Sequence, residues 1–266
     1  MDDQSTADTI NAAIEDKVPS MGEAPDLVVE LIRGLYDSDK DVWHTTAEIR
    51  ELNGEDEEYL AAIQKKKGLL YAEYMNALLS KSVVRIGSLD TNGSRGEALV
   101  SKLMMADRDL LYLNIVKATY GNEREVKVVC SECKTMNDVT LELDKDFPIT
   151  YPDFDIRQGI EVEISSGTVH LRLPNAEDTV EVNKGAKTDA EVNTAMLARC
   201  TIWPKGKAPD NPLRWARSLG MADRRKLVNA LLNVEIGPKM EEVNTQCASC
   251  DKEMPLLLDW VSLLFD

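Results

Sequence analysis

The chain has 266 residues, enough for one large domain or two small ones with a sizeable core. It is 43% hydrophobic and 29% charged, the make-up of an ordinary globular protein. A net charge of −16 disfavours a nucleic-acid groove and adhesion to an anionic membrane, because both draw on Lys and Arg. No apolar run nears the roughly 20 residues that span a bilayer, and Met1-Asp2-Asp3-Gln4 lacks the basic and apolar parts of a secretory signal.

Residues 1–41 hold eleven acidic and three basic side chains. Ile10 and Ile14 lie four apart within Thr9–Lys17, and Leu27, Leu31, Ile32 and Leu35 take helical spacing within Asp26–Tyr36. The segment is expected to be an acidic arm with two short helices. A first unit follows, residues 42–146. Asn53-Gly54-Glu55-Asp56 opens a helix through Tyr59 to about Lys67, Leu78–Val84 is helix or strand, and a glycine-bearing loop runs from Gly87 to Gly96. Met105-Ala106-Asp107-Arg108 opens a helix that ends at Gly121. Val126–Val129 and Val139–Leu143 then alternate with period two, as half-buried strands do, on either side of Cys130 and Cys133. Phe147–Pro152 reads as a stiff extended linker into the second unit, which completes residues 147–266. There Ile160–Ile164 and Val169–Leu173 flank Ser165-Ser166-Gly167-Thr168, a hairpin signal.

The second unit answers the first in the same order. Leu171-Arg172-Leu173 leads to Asn175-Ala176-Glu177-Asp178, and Met196–Ile202 parallels the Leu78 segment at an offset of 118. Met221-Ala222-Asp223-Arg224 parallels Met105-Ala106-Asp107-Arg108 at 116, and Cys247/Cys250 parallel Cys130/Cys133 at 117. Ordered features at nearly constant spacing point to a duplication. Asp107 and Asp223 are expected to cap the two helices, and Gly121 and Gly237 to end them.

A Cys-x-x-Cys turn aims two thiolates the same way, and two such turns facing each other make a tetrahedral site. Cys130, Cys133, Cys247 and Cys250 are therefore the expected ligands of one structural zinc ion, the 113 residues between the pairs being one repeat length. Iron binds four thiolates as well and remains the second choice. Separate redox dithiols are disfavoured because neither pair opens a helix after a strand. Catalytic zinc is disfavoured because four cysteines close the shell. Cys200 is expected in the core. The expected fold is α+β: two tandem pseudo-repeats of helices and short antiparallel strands, joined through a zinc-ribbon-like four-cysteine site behind the acidic helical arm.

Nothing else in the sequence demands catalysis. His170 lies on one face of a strand, and no Ser-His-Asp or Cys-His pairing has motif support. Gly87–Gly96 lacks the ending of a phosphate loop. Capping and solvation account for Asp107, Asp109, Glu123 and Glu125, and Lys65–Lys67 reads as a solvated helix end. Arg108 and Arg224 could link the repeats across a pseudo-twofold axis. Trp203, Trp215 and Trp260, with Leu256–Leu258 and Leu263-Leu264-Phe265, are either core or a partner-binding surface.

Tyr120-Gly121-Asn122-Glu123 before the first Cys-x-x-Cys, with Leu171-Arg172-Leu173-Pro174, Leu197-Ala198-Arg199-Cys200 and Cys247-Ala248-Ser249-Cys250, resembles the baseplate hub and tail assembly proteins of T-even-type phages and related contractile injection systems. The resemblance covers about residues 45–266, with Ser131 and Ala248 standing where that family usually has proline. It implies a non-enzymatic structural or assembly protein. Its partners would be tail hub or tube proteins, and an oligomer within an assembly is allowed for. It would act in the cytoplasm of the bacterial host during assembly, either as a transient assembly factor or as a component that stays in the virion tail. The alternative is a zinc-ribbon nucleic-acid-binding or transcription adaptor protein, which would need a basic face.

Overall fold

The computed structural model describes residues 27–239, 244–255 and 262–265. Strands β1 (Val28–Asp37) and β2 (Val42–Ile49) pair antiparallel, with Val29, Leu31 and Leu35 buried. The helix expected over Asp26–Tyr36 is therefore a strand. Its misleading spacing has a cause. The register slips between Glu30 and Leu35, where β1 places four residues against one of β2, so Leu31 at the start of the bulge and Leu35 just past it lie four apart without a helical turn. The first expected helix of the arm, Thr9–Lys17, lies outside the described residues.

Helix α1 (Gly54–Gln64) begins with a reciprocal cap: Asn53 Oδ1 accepts from the N–H groups of Glu55 and Asp56, and Asp56 Oδ2 accepts from the Asn53 N–H. It ends before Lys65–Lys67, which are exposed as expected. Helix α2 (Tyr71–Ser82) passes directly into β3 (Val83–Ile86), where two β-branched valines suit an extended chain. The Leu78–Val84 segment is thus both helix and strand. Strand β4 (Leu89–Asp90) completes a four-stranded antiparallel sheet ordered β1-β2-β3-β4. After α3 (Gly96–Ser101) comes α4 (Met105–Tyr120), the spine of the main core. Its Leu111, Ile115 and Val116 are fully buried among Leu78 and Leu79 and, from the far end of the chain, Leu263 and Leu264. Gly121 ends α4 at φ +89, its N–H reaching Lys117 O at 2.9 Å. The β5 (Glu123–Val129) and β6 (Met136–Glu142) ribbon follows, then α5 (Leu143–Asp146).

The expected linker is not free. Phe147 is buried, and β7 (Ile149–Thr150) pairs with Gly237–Pro238. Strands β8 (Ile160–Ile164) and β9 (Gly167–Leu171) form the expected hairpin over Ser165-Ser166. Next come α6 (Ala176–Gly185), α7 (Asp189–Cys200), β10 (Thr201–Ile202) on the β9 edge, α8 (Pro212–Ser218) and α9 (Met221–Leu232). Helix α9 ends at Asn233. Gly237, expected to end it, lies instead in β11 (Gly237–Pro238) with φ +96, where an added Cβ would stand 2.8 Å from that of Ala106. The ribbon β12 (Asn244–Gln246) with β13 (Glu253–Pro255), and α10 (Ser262–Phe265), complete the described chain.

Asp107 and Asp223 are not helix caps. Met104 and Gly220 hold those positions, and each aspartate sits three residues inside its helix. Asp107 accepts from the N–H groups freed by the β1 bulge, those of Ile32 at 2.5 Å, Arg33 at 3.2 Å and Gly34 at 3.0 Å. It is buried rather than solvated, and burial raises its pKa against the pull of those N–H groups. Asp223 receives the N–H and hydroxyl of Ser165 in the β8–β9 turn, which lower its pKa at an open site. Nor do the arginines join the halves. Fully buried Arg108 donates to Asn76 Oδ1, Val100 O and Ala72 O, while Arg224 donates to Ala216 O and Ala190 O. Burial brings the Arg108 guanidinium down to about 10. Asp109 is half-buried rather than fully solvated: burial pushes it up to about 7, with Arg108 opposing.

Residues of the two halves meet directly. Met104 bridges to Asn175, Arg33 Nη1 donates to Leu173 O at 3.2 Å, and Ala72 and Met105 pack against Ala176 and Val180. In the second half, Trp203 meets Trp215 edge to face at 4.7 Å, and Trp215 packs on the core formed by Leu171, Leu197 and Leu227. Leu263 and Leu264 are core residues, whereas Leu256–Leu258 and Trp260 lie outside the described residues.

Candidate metal centre

Each cysteine pair sits at the tip of a two-stranded ribbon, and the two tips repeat one another bond for bond. Cys130 N–H donates to Thr135 O and Lys134 N–H to Cys130 O, at 2.9 and 3.1 Å. Cys247 N–H donates to Lys252 O and Asp251 N–H to Cys247 O, both at 2.9 Å. The residue after each second cysteine is left-handed, Lys134 at φ +61 and Asp251 at φ +55, which returns the chain to its ribbon. Folded in this way, each turn leaves one sulfur inside and one outside: Cys130 and Cys247 are buried, Cys133 and Cys250 exposed.

The two turns face each other. Cys130 Sγ lies 3.7 Å from Cys250 Sγ, and Cys133 Sγ lies 3.5 Å from Cys247 Sγ. All four ligand atoms fall within 4.8 Å of one another, close enough to hold a metal ion. Thiolates at about 2.3 Å from one tetrahedral ion stand about 3.8 Å apart, so the separations fit the donor set. The protons tell the same story. The Thr135 hydroxyl and N–H hold the Cys133 thiol down to about 6. Against the Lys252 N–H, which lowers it, the sulfurs of Cys133, Cys247 and Cys130 push Cys250 up to about 12. Four sulfurs this close ionise together only around a cation.

One residue that the sequence did not single out ties the two turns together. Asn137, buried in β6, accepts from the Ala248 N–H at 2.9 Å through Oδ1 and donates to Thr135 O at 3.0 Å through Nδ2. It therefore fixes the backbone of the second turn to that of the first. Its place in the second ribbon is taken by Met254, which packs on Cys130 and Cys247, so no repeated signal marked it.

A family model described as T4 bacteriophage base plate protein matches residues 35–202. The chain belongs to that family. No curated protein and no solved structure matches it. The base plate match begins in β1 and ends with β10, so it takes in the first cysteine turn and stops short of the second, unlike the expected reach to residue 266. Base plate membership implies contact with other phage tail components and a place in the virion tail, and it suggests a structural protein. Among the described residues no helix is long and apolar enough to cross a membrane.

The remaining candidates stay apart from the cysteines. His170 lies in β9, 3.8 Å from Glu161, and His44 lies 3.7 Å from Asp37. Glu123 and Glu125 are exposed on β5. Cys200 is buried at the end of α7, where burial pushes its thiol up to about 12. Sequence reasoning also missed the ion pairs beside the helix caps. Arg50 grips Asp56 at 2.7 and 2.9 Å, and Arg172 grips Asp178 at 2.5 and 2.9 Å, with Arg199 adding a third bond at 2.8 Å. The signal was present as Arg and Asp six residues apart in both halves.

Proposed function

We propose that this chain is a non-enzymatic structural or assembly protein of a contractile-tail baseplate hub, built from two duplicated lobes clasped by one structural zinc ion. The observation that carries the tail assignment is the family match over residues 35–202. The zinc reading rests on the donor set: four thiolates without imidazole or carboxylate suit zinc or iron, and a closed four-cysteine shell needs no open position. When bound, the ion supplies a cross-link of about 10 kcal/mol between chain segments one repeat apart. Cys130 and Cys133 would hold it from the first ribbon, and Cys247 and Cys250 from the second, with Asn137 keeping the two in register.

Duplication is supported by side chains that make the same bonds twice. Arg50–Asp56 and Arg172–Asp178 stand beside equivalent caps. Arg108 reaches Ala72 O and Val100 O, and Arg224 reaches Ala190 O and Ala216 O. Asp107 and Asp223 each hold the backbone of the strand pair that precedes them. The first lobe then starts at β1 rather than residue 42 and runs to residue 146, and the second fills residues 147–266.

The test is copurification of the tagged chain from phage-producing cells. Recovery of tail hub or tube proteins is expected, from the host cytoplasm during assembly or from finished tails. A lone chain that binds none of them would overturn the hub assignment. Steeply salt-dependent DNA or RNA binding would favour the zinc-ribbon adaptor instead.

A further inference from the structure

The contact between the halves is not symmetric. The first half offers the start of α2 and α4, where Ala72 and Ala106 are buried and Met105 packs beside them. The second half offers α6 and β11, with Ala176 and Val180 buried on Ala72 and Gly237 seated on Ala106. Different faces meet, so the joint is head to tail, and an arrangement of this kind leaves one face of each sort over.

Both leftover faces can be located, an argument that rests on the duplication proposed above. In the second half, Ala190, Met221 and Ala222 stand where Ala72, Met105 and Ala106 stand in the first. All three are exposed among the described residues, Met221 at 79%. In the first half, Gly54, Glu58 and Gly121 stand where Ala176, Val180 and Gly237 stand in the second, and these too are exposed. The free faces differ from their covered counterparts in charge. Arg225 replaces Asp109 beside Met221, and Glu58 replaces Val180 with Glu57 next to it. One open face is therefore apolar, with Arg225 beside Met221 and with Asp189 and Glu191 flanking Ala190, and the other is acidic.

We infer that copies of this chain associate head to tail, the Ala190–Met221–Ala222 face of one copy receiving the α1 start of the next as Ala72 and Met105 receive α6 within a chain. The two faces exist on every copy, lie on different halves and repeat the faces that already meet within the chain, with Arg225 offered to Glu57 and Glu58, so a second copy is the occupant they fit. Association of this type closes into a ring or grows as a row, and its charged contacts weaken with salt.

The test uses the full metal-loaded chain and two bulky blocks at exposed positions. Ala222→Trp obstructs one face, and Gly54→Trp the other, where an added Cβ meets nothing within 4 Å. In sedimentation velocity across a dilution series, the wild-type chain should form species larger than a pair. Each variant alone should remain single, and a mixture of the two should give pairs that grow no further. A wild-type chain that stays single throughout, a variant that still pairs with itself, or a mixture that stays single would each overturn the inference. Duplication is judged separately, by superposing the halves in a crystal structure. Halves that superpose in a chain that never associates would sink the association alone, and halves that do not superpose would sink the duplication.

Discussion

Replacing Asp107 by alanine should destabilise the chain far more than its place in a helix's first turn would suggest. The carboxylate is the acceptor for three backbone N–H groups of the β1 bulge, and those of Arg33 and Gly34 are buried. A buried donor stripped of its acceptor costs about 1–3 kcal/mol. Two such donors give about 4 kcal/mol, before the loss of the charge that faces the buried Arg33 guanidinium. Asp107→Asn keeps one oxygen for the bulge and should lose about half as much. Urea unfolding followed by circular dichroism measures both, with the metal kept saturating. Asp223→Ala is the control, since among the described residues it accepts hydrogen bonds from Ser165 in an open turn, and its midpoint should hardly move. If Asp107→Ala falls within about 1 kcal/mol of the wild type, or Asp223→Ala proves equally damaging, the carboxylate is not what holds the bulge.

Further outcomes are expected at three other positions. Asn137→Ala removes the bridge between the cysteine turns and should weaken metal binding about tenfold in chelator competition; unchanged affinity would mean that the turns are positioned without it. Asp109 has a folded-state pKa of about 7, above its unfolded value, so it favours folding while protonated, and that contribution is lost as the pH rises through 7. Asp109→Asn should therefore gain about 2 kcal/mol over the wild type at pH 8 and little at pH 4, after discounting for partial exposure; a pH-independent difference would contradict this. Cys200, with its thiol pushed up to about 12 and its side chain buried, should resist a thiol reagent in the metal-loaded native chain and react only on unfolding.

The cysteines were legible because each turn is local: two thiols three apart, bounded by alternating strands, carry their geometry in a few residues. The helices over Asn53–Asp56 and Asn175–Asp178 were legible for the same reason, since their caps close within four residues. Errors arose where a partner lies far away. Asp107 looks like a cap until β1 arrives across 75 positions to claim its oxygens. The strand itself looks helical because its bulge spaces leucines by four. Gly237 was assigned to the helix before it, but its backbone serves a contact with Ala106 in the other half. Asn137 acts on Ala248 from 111 positions away and carries no sign of it in its own segment.

The metal content of the purified chain tests the shared clasp most directly. Native mass spectrometry with elemental analysis should find one zinc ion per chain, and Cys130→Ser and Cys247→Ser should each reduce it to none, because each variant breaks the same tetrahedral shell. Two ions per chain, iron in place of zinc, or an ion retained by either variant would contradict a single zinc held between the two ribbons.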